Sequence, residues 1–221
     1  MVTHAPANIE AFQDLAIWLD SHTPGEVRDA LASQATSPWR HAPEREHHDS
    51  LHIEAEYFAF ELEAQGDTPK VGLVLWKDEG QLRVTNVVPV DTGQLSIRQY
   101  NHALRLFHER VASPVASRLG LRIEISKDRE SLTDWMSSGA ADLLRRFSAT
   151  ANKSTGSSHP SDRARWMAFL IAAHKERLQI AEKLKRWLIE VDRWPQERAI
   201  ELVIEYEFGS ELLVQYDQQR D

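Results

Sequence analysis

The stretch Val71-Gly-Leu-Val-Leu-Trp-Lys-Asp-Glu-Gly-Gln-Leu-Arg-Val-Thr-Asn-Val-Val-Pro-Val90 decides the fold class. Residues 71–77 are almost wholly apolar and too short for a buried helix, so they read as a central strand covered on both faces. Asp78-Glu79-Gly80 is a tight hairpin turn. Residues 82–90 form the next strand, with Pro89 near its end, where a missing N–H does least harm. Strands joined by so short a turn pair antiparallel.

Working outward, residues 51–63 alternate and then turn apolar, giving a strand ahead of the turn Gln65-Gly66-Asp67-Thr68-Pro69. After residue 90, Ser96 caps a long helix over 95–119, whose apolar stripe is Ile97, Tyr100, Leu104, Phe107, Val111 and Val115. Pro114 is expected to kink or interrupt it, and Gly120 to end it. Residues 121–125 alternate as a fourth strand. The order β-β-β-α-β, a small antiparallel or mixed sheet over 51–125 with a helix on one face, belongs to the α+β class.

Ahead of the sheet, Ile9, Phe12, Leu15, Ala16 and Leu19 recur at helical steps, predicting an amphipathic helix over 9–20 with Asn8 as cap. A second helix starts at Thr23-Pro24-Gly25-Glu26, a capping box with proline at the first position. These N-terminal helices (8–36) complete an α+β domain of residues 1–127. No strand is expected past Lys127. Residues 128–221 read as an all-helical subdomain packed on that domain: a helix over 140–149, one from Pro160, one carrying Leu178, Ala181, Leu184 and Leu188, and a last one from Trp194-Pro195 through Ala199, Leu202, Val203 and Tyr206 toward Tyr216, with a candidate bend at Gly209.

Bulk composition narrows the function. With 221 residues, 42% apolar and 27% charged, the chain can build a core without staples. Cysteine is absent, which excludes disulfides, thiolate metal sites and cysteine nucleophiles. The first residues lack the pattern of a secretory signal, and no apolar run reaches the ~20 residues of a membrane span, so a soluble cytoplasmic protein without membrane contact is expected. The net charge of −8 argues against generic nucleic-acid binding. Charge is unevenly placed, however. Residues 143–186 hold ten Lys/Arg against three acids, and residues 187–221 hold nine acids against three arginines. Such asymmetry marks either an anion-binding face or two segments that neutralise each other.

The connector Lys153-Ser154-Thr155-Gly156-Ser157-Ser158-His159 is the foremost candidate working surface. It is rich in hydroxyls and ends at a helix N-terminus, where backbone N–H groups and the helix dipole favour an anion. Arg145, Arg146, Arg163 and Arg165 would add charge, joining Ser154, Thr155, Ser157 and Ser158 as binding residues. The order of a P-loop is missing. Two functional readings follow. The first is a protein-protein interaction component, one part of a bacterial toxin-neutralising or defence-type complex, in which Trp39 and Trp194, each beside a proline, serve as surface anchors. The second is an enzyme acting on phosphate esters or nucleic acid, with His159 as acid or base and Lys153 as its charged partner. A protein partner is expected first, and a nucleic acid or phosphate-bearing ligand second. No cofactor is expected. No metal-ligand spacing is present, so no metal is expected; His48, His52 and Glu54, with imidazole and carboxylate side by side, come nearest to one.

Overall fold

The computed structural model describes residues 7–46 and 57–220. In chain order the elements are β1 (Ile9–Glu10), β2 (Leu15–Trp18), α1 (Pro24–Gln34), β3 (Trp39–His41), β4 (Tyr57–Leu62), β5 (Val71–Asp78), β6 (Gln81–Pro89), α2 (Ile97–Phe107), α3 (Ser113–Leu119), β7 (Ile123–Ile125), β8 (Arg129–Glu130), α4 (Ser138–Thr150), α5 (Pro160–Lys175), α6 (Ala181–Glu190) and α7 (Gln196–Gln218). The class is α+β, with an antiparallel sheet and a helical C-terminal half. Two compact units divide the chain: residues 11–128, and the residues through Glu10 together with Arg129 onward.

The first unit is a six-stranded antiparallel sheet in the order β3-β4-β5-β6-β2-β7. The β5–β6 hairpin is its spine, and both turn residues take positive φ, 40° at Glu79 and 83° at Gly80, as a tight hairpin with right-handed strand twist requires. Residues Phe58, Phe60 and Leu62 of β4, Leu73 and Leu75 of β5, and Leu82, Val84 and Val87 of β6 face one core with Val27 and Leu31 of α1 and Leu104, Phe107, Val111 and Val115 of the long helical run. A bulge between Val74 and Leu75 keeps the apolar set of β6 on that face. The capping box at Thr23 forms, its hydroxyl accepting the Glu26 amide.

The helical run over 97–119 is interrupted, at the place Pro114 predicts. A π-turn over His108–Ala112 separates α2 from α3, which begins one residue before the proline. Proline cannot donate to the carbonyl four residues back, and a wider turn absorbs the lost bond without ending the helix. Gly120, at φ 70°, closes α3 in the left-handed conformation.

Two sequence expectations are corrected here. The helix over 9–20 does not form; β1 and β2 occupy that stretch. Leu15, Ile17 and Leu19 are buried while Ala16 and Trp18 are half-covered, a period of two hidden inside the three-and-four spacing. Filling the slot between β6 and β7, with Ala16 opposite both Arg83 and Glu124, satisfies the backbone of β2 on both edges. Buried Asn101 holds the chain just ahead of it: its Oδ1 accepts the Gln13 amide at 2.9 Å and its Nδ2 donates to the Ala11 carbonyl at 2.8 Å. Strand also exists past Lys127, since Arg129–Glu130 pairs with Ile9–Glu10.

In the second unit, α4 to α7 enclose a separate core. Leu144, Phe147, Trp166, Phe169, Leu184, Trp187, Leu188, Trp194, Leu202 and Tyr206 meet there, joined by Ile9 from β1. The expected surface anchors are buried. Trp39 is 1% exposed and sits edge-on to Phe107 in the sheet unit. Trp194 is 3% exposed, stacks on Phe147 at 5.5 Å and donates from Nε1 to the Ser148 hydroxyl at 2.7 Å. A proline neighbour shapes the backbone; it does not keep so large a ring in water.

Electrostatics in the sheet unit centre on Glu61, a buried carboxylate on β4. Arg40 binds one oxygen, Arg45 reaches the other at 2.5 Å, and Lys70 lies at 3.3 Å. Burial pushes the Glu61 carboxyl up, yet the hydrogen bonds from Arg40, Arg45 and Lys70 outweigh it and hold the group below the ordinary glutamate range. Its stabilising contribution is therefore present above the unfolded-state pKa and lost as pH falls through the folded-state value. Glu61→Gln is expected to cost about 1–3 kcal/mol at pH 7, because Arg40 keeps Glu44, Lys70 keeps Glu63 and the half-exposed Arg45 can turn to water. Chemical denaturation from pH 7 down to pH 3 checks this, the deficit shrinking in acid. A variant as stable as the parent at pH 7 contradicts the role given to Glu61.

Candidate functional site

The connector between α4 and α5 turns its hydroxyls inward on itself. The Ser154 amide and hydroxyl donate to Asn152 Oδ1 at 2.9 and 2.7 Å, the Ser158 hydroxyl to the Thr155 carbonyl at 2.7 Å, and the Thr155 hydroxyl to the Asn152 carbonyl at 3.4 Å. Ser157 is buried, and its hydroxyl lies 2.8 and 2.9 Å from the two Glu205 oxygens on α7. His159 is the N-cap of α5, its Nδ1 accepting the Ser161 amide at 3.3 Å. Pro160 fills the first helical position and buried Asp162 accepts from the Asn152 amide. Local capping thus consumes most of the polar groups that the sequence singles out.

Half of the ten basic side chains of this segment form ion pairs, four of them with acids on their own helices. Arg145 meets Asp142 and Arg165 meets Asp162, each at 2.9 Å. Arg186 pairs with Glu190 at 2.9 Å, and Lys183 with Glu130 at 2.7 Å. Arg163 donates from Nε to the Ser157 carbonyl at 3.5 Å. Lys153 donates to the Asp192 carbonyl and lies 6.0 Å from the Trp194 ring. Of the sequence-selected residues, Arg146 and Arg165 come together, lining a cavity of about 400 Å³ between α4 and α5 with Ser161 and Leu143. Lys153, His159 and Arg163 are not among its walls. His48, His52 and Glu54 lie outside the described residues. Among the described residues no group of three or more His, Cys, Asp and Glu is placed to hold a metal ion, and no helix is long and apolar enough to cross a membrane.

The surface that stands out chemically is one the sequence reading passed over. Helix α7 buries Ala199, Leu202, Val203 and Tyr206 in its unit's core, and the Tyr206 hydroxyl donates to the Leu178 carbonyl at 2.6 Å. On its other side Ile200, Ile204, Phe208, Leu212 and Tyr216 follow one another at steps of four residues, all exposed. Phe208 is 67% exposed, Ile204 58% and Leu212 57%. Val214 on the same helix, and Met167 and Ile171 on α5, are exposed as well. Of the ten large hydrophobic residues that the described chain leaves open, eight lie on these two helices. Scattered apolar residues on a surface are ordinary, whereas an aligned row of them is a mark of an interaction site. A count at four-residue steps along 200–216 was available in the sequence and would have found it.

Gly209 lies on the inner side of this helix. A Cβ there would stand 3.0 Å from Leu170 Cδ1, so the glycine serves close packing against α5, and α7 runs through it unbroken. Where α7 passes the C-terminal end of α5, a groove of about 680 Å³ opens, lined by His174, Arg177, Glu211, Val214 and Asp217; His174 Nε2 and Asp217 Oδ2 are 2.7 Å apart across it. No protein-family model matches the chain, and comparison with the curated proteins and with the solved structures finds no match.

One titratable group near the connector is poised against ionisation. Burial pushes the Asp192 carboxyl up from the ordinary aspartate range, and the Ser148 hydroxyl and Lys153 ammonium pull it back only in part. Its Oδ2 is buried with no hydrogen bond. Stability from this group is full below the unfolded-state pKa and is lost as pH rises through the raised folded-state value. Asp192→Asn is therefore expected to gain stability relative to the parent as pH climbs from about 4, the ordinary aspartate value, toward 7. Thermal melts of both proteins across that range decide it; a gap that stays constant with pH removes the argument.

Proposed function

We propose that this chain is a protein-protein interaction component whose docking surface is the outer face of α7, extended by Met167 and Ile171 of α5. The aligned row Ile200, Ile204, Phe208, Leu212 and Tyr216 carries the reading. Leaving several large side chains in water forgoes roughly 1.5–3 kcal/mol each relative to burial, a cost that a partner's surface recovers. Central aromatic and aliphatic anchors such as Phe208 and Ile204 are the residue types that dominate interface energetics. The connector fits a supporting role, since Ser157 holds Glu205 on α7 and thereby ties the docking helix to the start of α5.

The double variant Ile204→Asp, Phe208→Asp tests the reading. Both side chains point away from the core, so the fold and melting temperature should be kept. Proteins retained by the parent in quantitative affinity capture from a native extract should fall by at least about tenfold, as expected when anchor residues are removed from an interface. Equal capture by parent and variant, with the fold intact, overturns the assignment.

A further inference from the structure

Resting on that docking reading, we propose that the partner presents an amphipathic helix whose apolar stripe is bordered by lysine and arginine. Two observations carry this, one of shape and one of charge.

The shape is a ridge. Residues four apart on an α-helix form a continuous row inclined to its axis, and such a row packs into the groove between rows of a second helix. Ile200 to Tyr216 is an unbroken row of this kind, about 24 Å long at 1.5 Å per residue. It calls for a helix of some sixteen residues laid across or alongside it, in the manner of helix-in-groove recognition.

Charge is the second observation. Residues 196–218 hold Glu197, Glu201, Glu205, Glu207, Glu211 and Asp217 against the single base Arg198. At roughly 100° per residue, Glu207 and Glu211 fall on one flank of the ridge, and Glu201 and Glu205 on the other. Arg198 meets Glu201 within the helix, and Asp217 is taken by His174. Glu197, Glu207 and Glu211 are exposed and have no ion pair among the described residues. Arg145, Arg165, Lys183, Lys185 and Arg186 are taken by acids on their own helices or on β8, and Lys175 and Arg177, which share the groove with Glu211, form no ion pair with it among the described residues. A second copy of α7 laid on the first would bring acid against acid along both borders. A partner helix carrying Lys or Arg there gains chiefly beside Glu207 and Glu211, since Glu201 and Glu205 already have Arg198 and Ser157, and like-charged competitors are rejected.

The test uses the full chain and three labelled eighteen-residue peptides: a leucine/lysine sequence with helical periodicity, its leucine/glutamate counterpart, and a leucine/lysine scramble without periodicity. Fluorescence anisotropy measures binding at low and physiological salt. The periodic leucine/lysine peptide should bind, at least about tenfold more tightly than either control, and lose affinity as salt rises. Glu207→Gln with Glu211→Gln should weaken it while leaving the fold unchanged, and Phe208→Asp should abolish it. Equal binding of the glutamate peptide or of the scramble overturns the proposal, as does no binding at all. A parent chain that dimerises through α7, with Phe208→Asp restoring the monomer, also overturns it, because a second copy would then be the occupant. In each of these cases the docking reading stands or falls separately, on whether the Ile204→Asp, Phe208→Asp variant loses its captured proteins.

Discussion

A helix that is apolar on two sides cannot bury both against one core. This constraint governs the C-terminal half of the protein. Helix α7 commits Ala199, Leu202, Val203 and Tyr206 inward, where Gly209 lets it approach Leu170 closely and Tyr206 reaches the Leu178 carbonyl. Its remaining apolar row is left in water. Inverting the helix would expose the inner set, including a tyrosine whose hydroxyl is matched to a backbone acceptor. The packing selects one face, and the other face becomes available for contact.

Charge is organised by proximity. In the sheet unit three cations converge on the buried Glu61 carboxylate. Among the helices, Arg145, Arg165, Lys185 and Arg186 pair with acids three or four residues away, and Lys183 with Glu130 on β8. Short ion pairs on a helix surface are individually weak, but they draw half of the bases in residues 143–186 to nearby acids. The basic block of residues 143–186 and the acidic block that follows therefore do not cancel as blocks. The polar links from the basic segment to α7 run instead through Ser157, His174 and the Leu178 carbonyl.

Legibility in the sequence varied with how far the deciding contacts lay from one another. The β5–β6 hairpin, the capping box at Thr23, the break near Pro114 and the stop at Gly120 were all readable, because each rests on residues within a few positions. Residues 9–20 satisfy two periods at once, the helical one through Ile9, Phe12, Leu15, Ala16 and Leu19 and the strand one through Leu15, Ile17 and Leu19, and the choice is made by β6 and β7, strands that lie far along the chain. The pairing of Arg129–Glu130 with Ile9–Glu10 is more distant still, and two residues carry no period. At the connector, residue types suggested a ligand site, while their hydrogen bonds turn out to be spent on capping and on Glu205.

By itself, then, the order of residues determined the α+β class, the hairpin spine, the helix starts at Thr23, Ser96 and Pro160, the stop at Gly120, and the polarity of charge along the chain, since all of these follow from short-range sterics, capping and composition. Only the tertiary structure decided which of two periods residues 15–19 obey, which tryptophans are hidden, where each arginine finds its acid, and which side of α7 remains uncovered. Those outcomes depend on what packs against what, and a residue's neighbours in space are supplied by segments its neighbours in sequence do not specify.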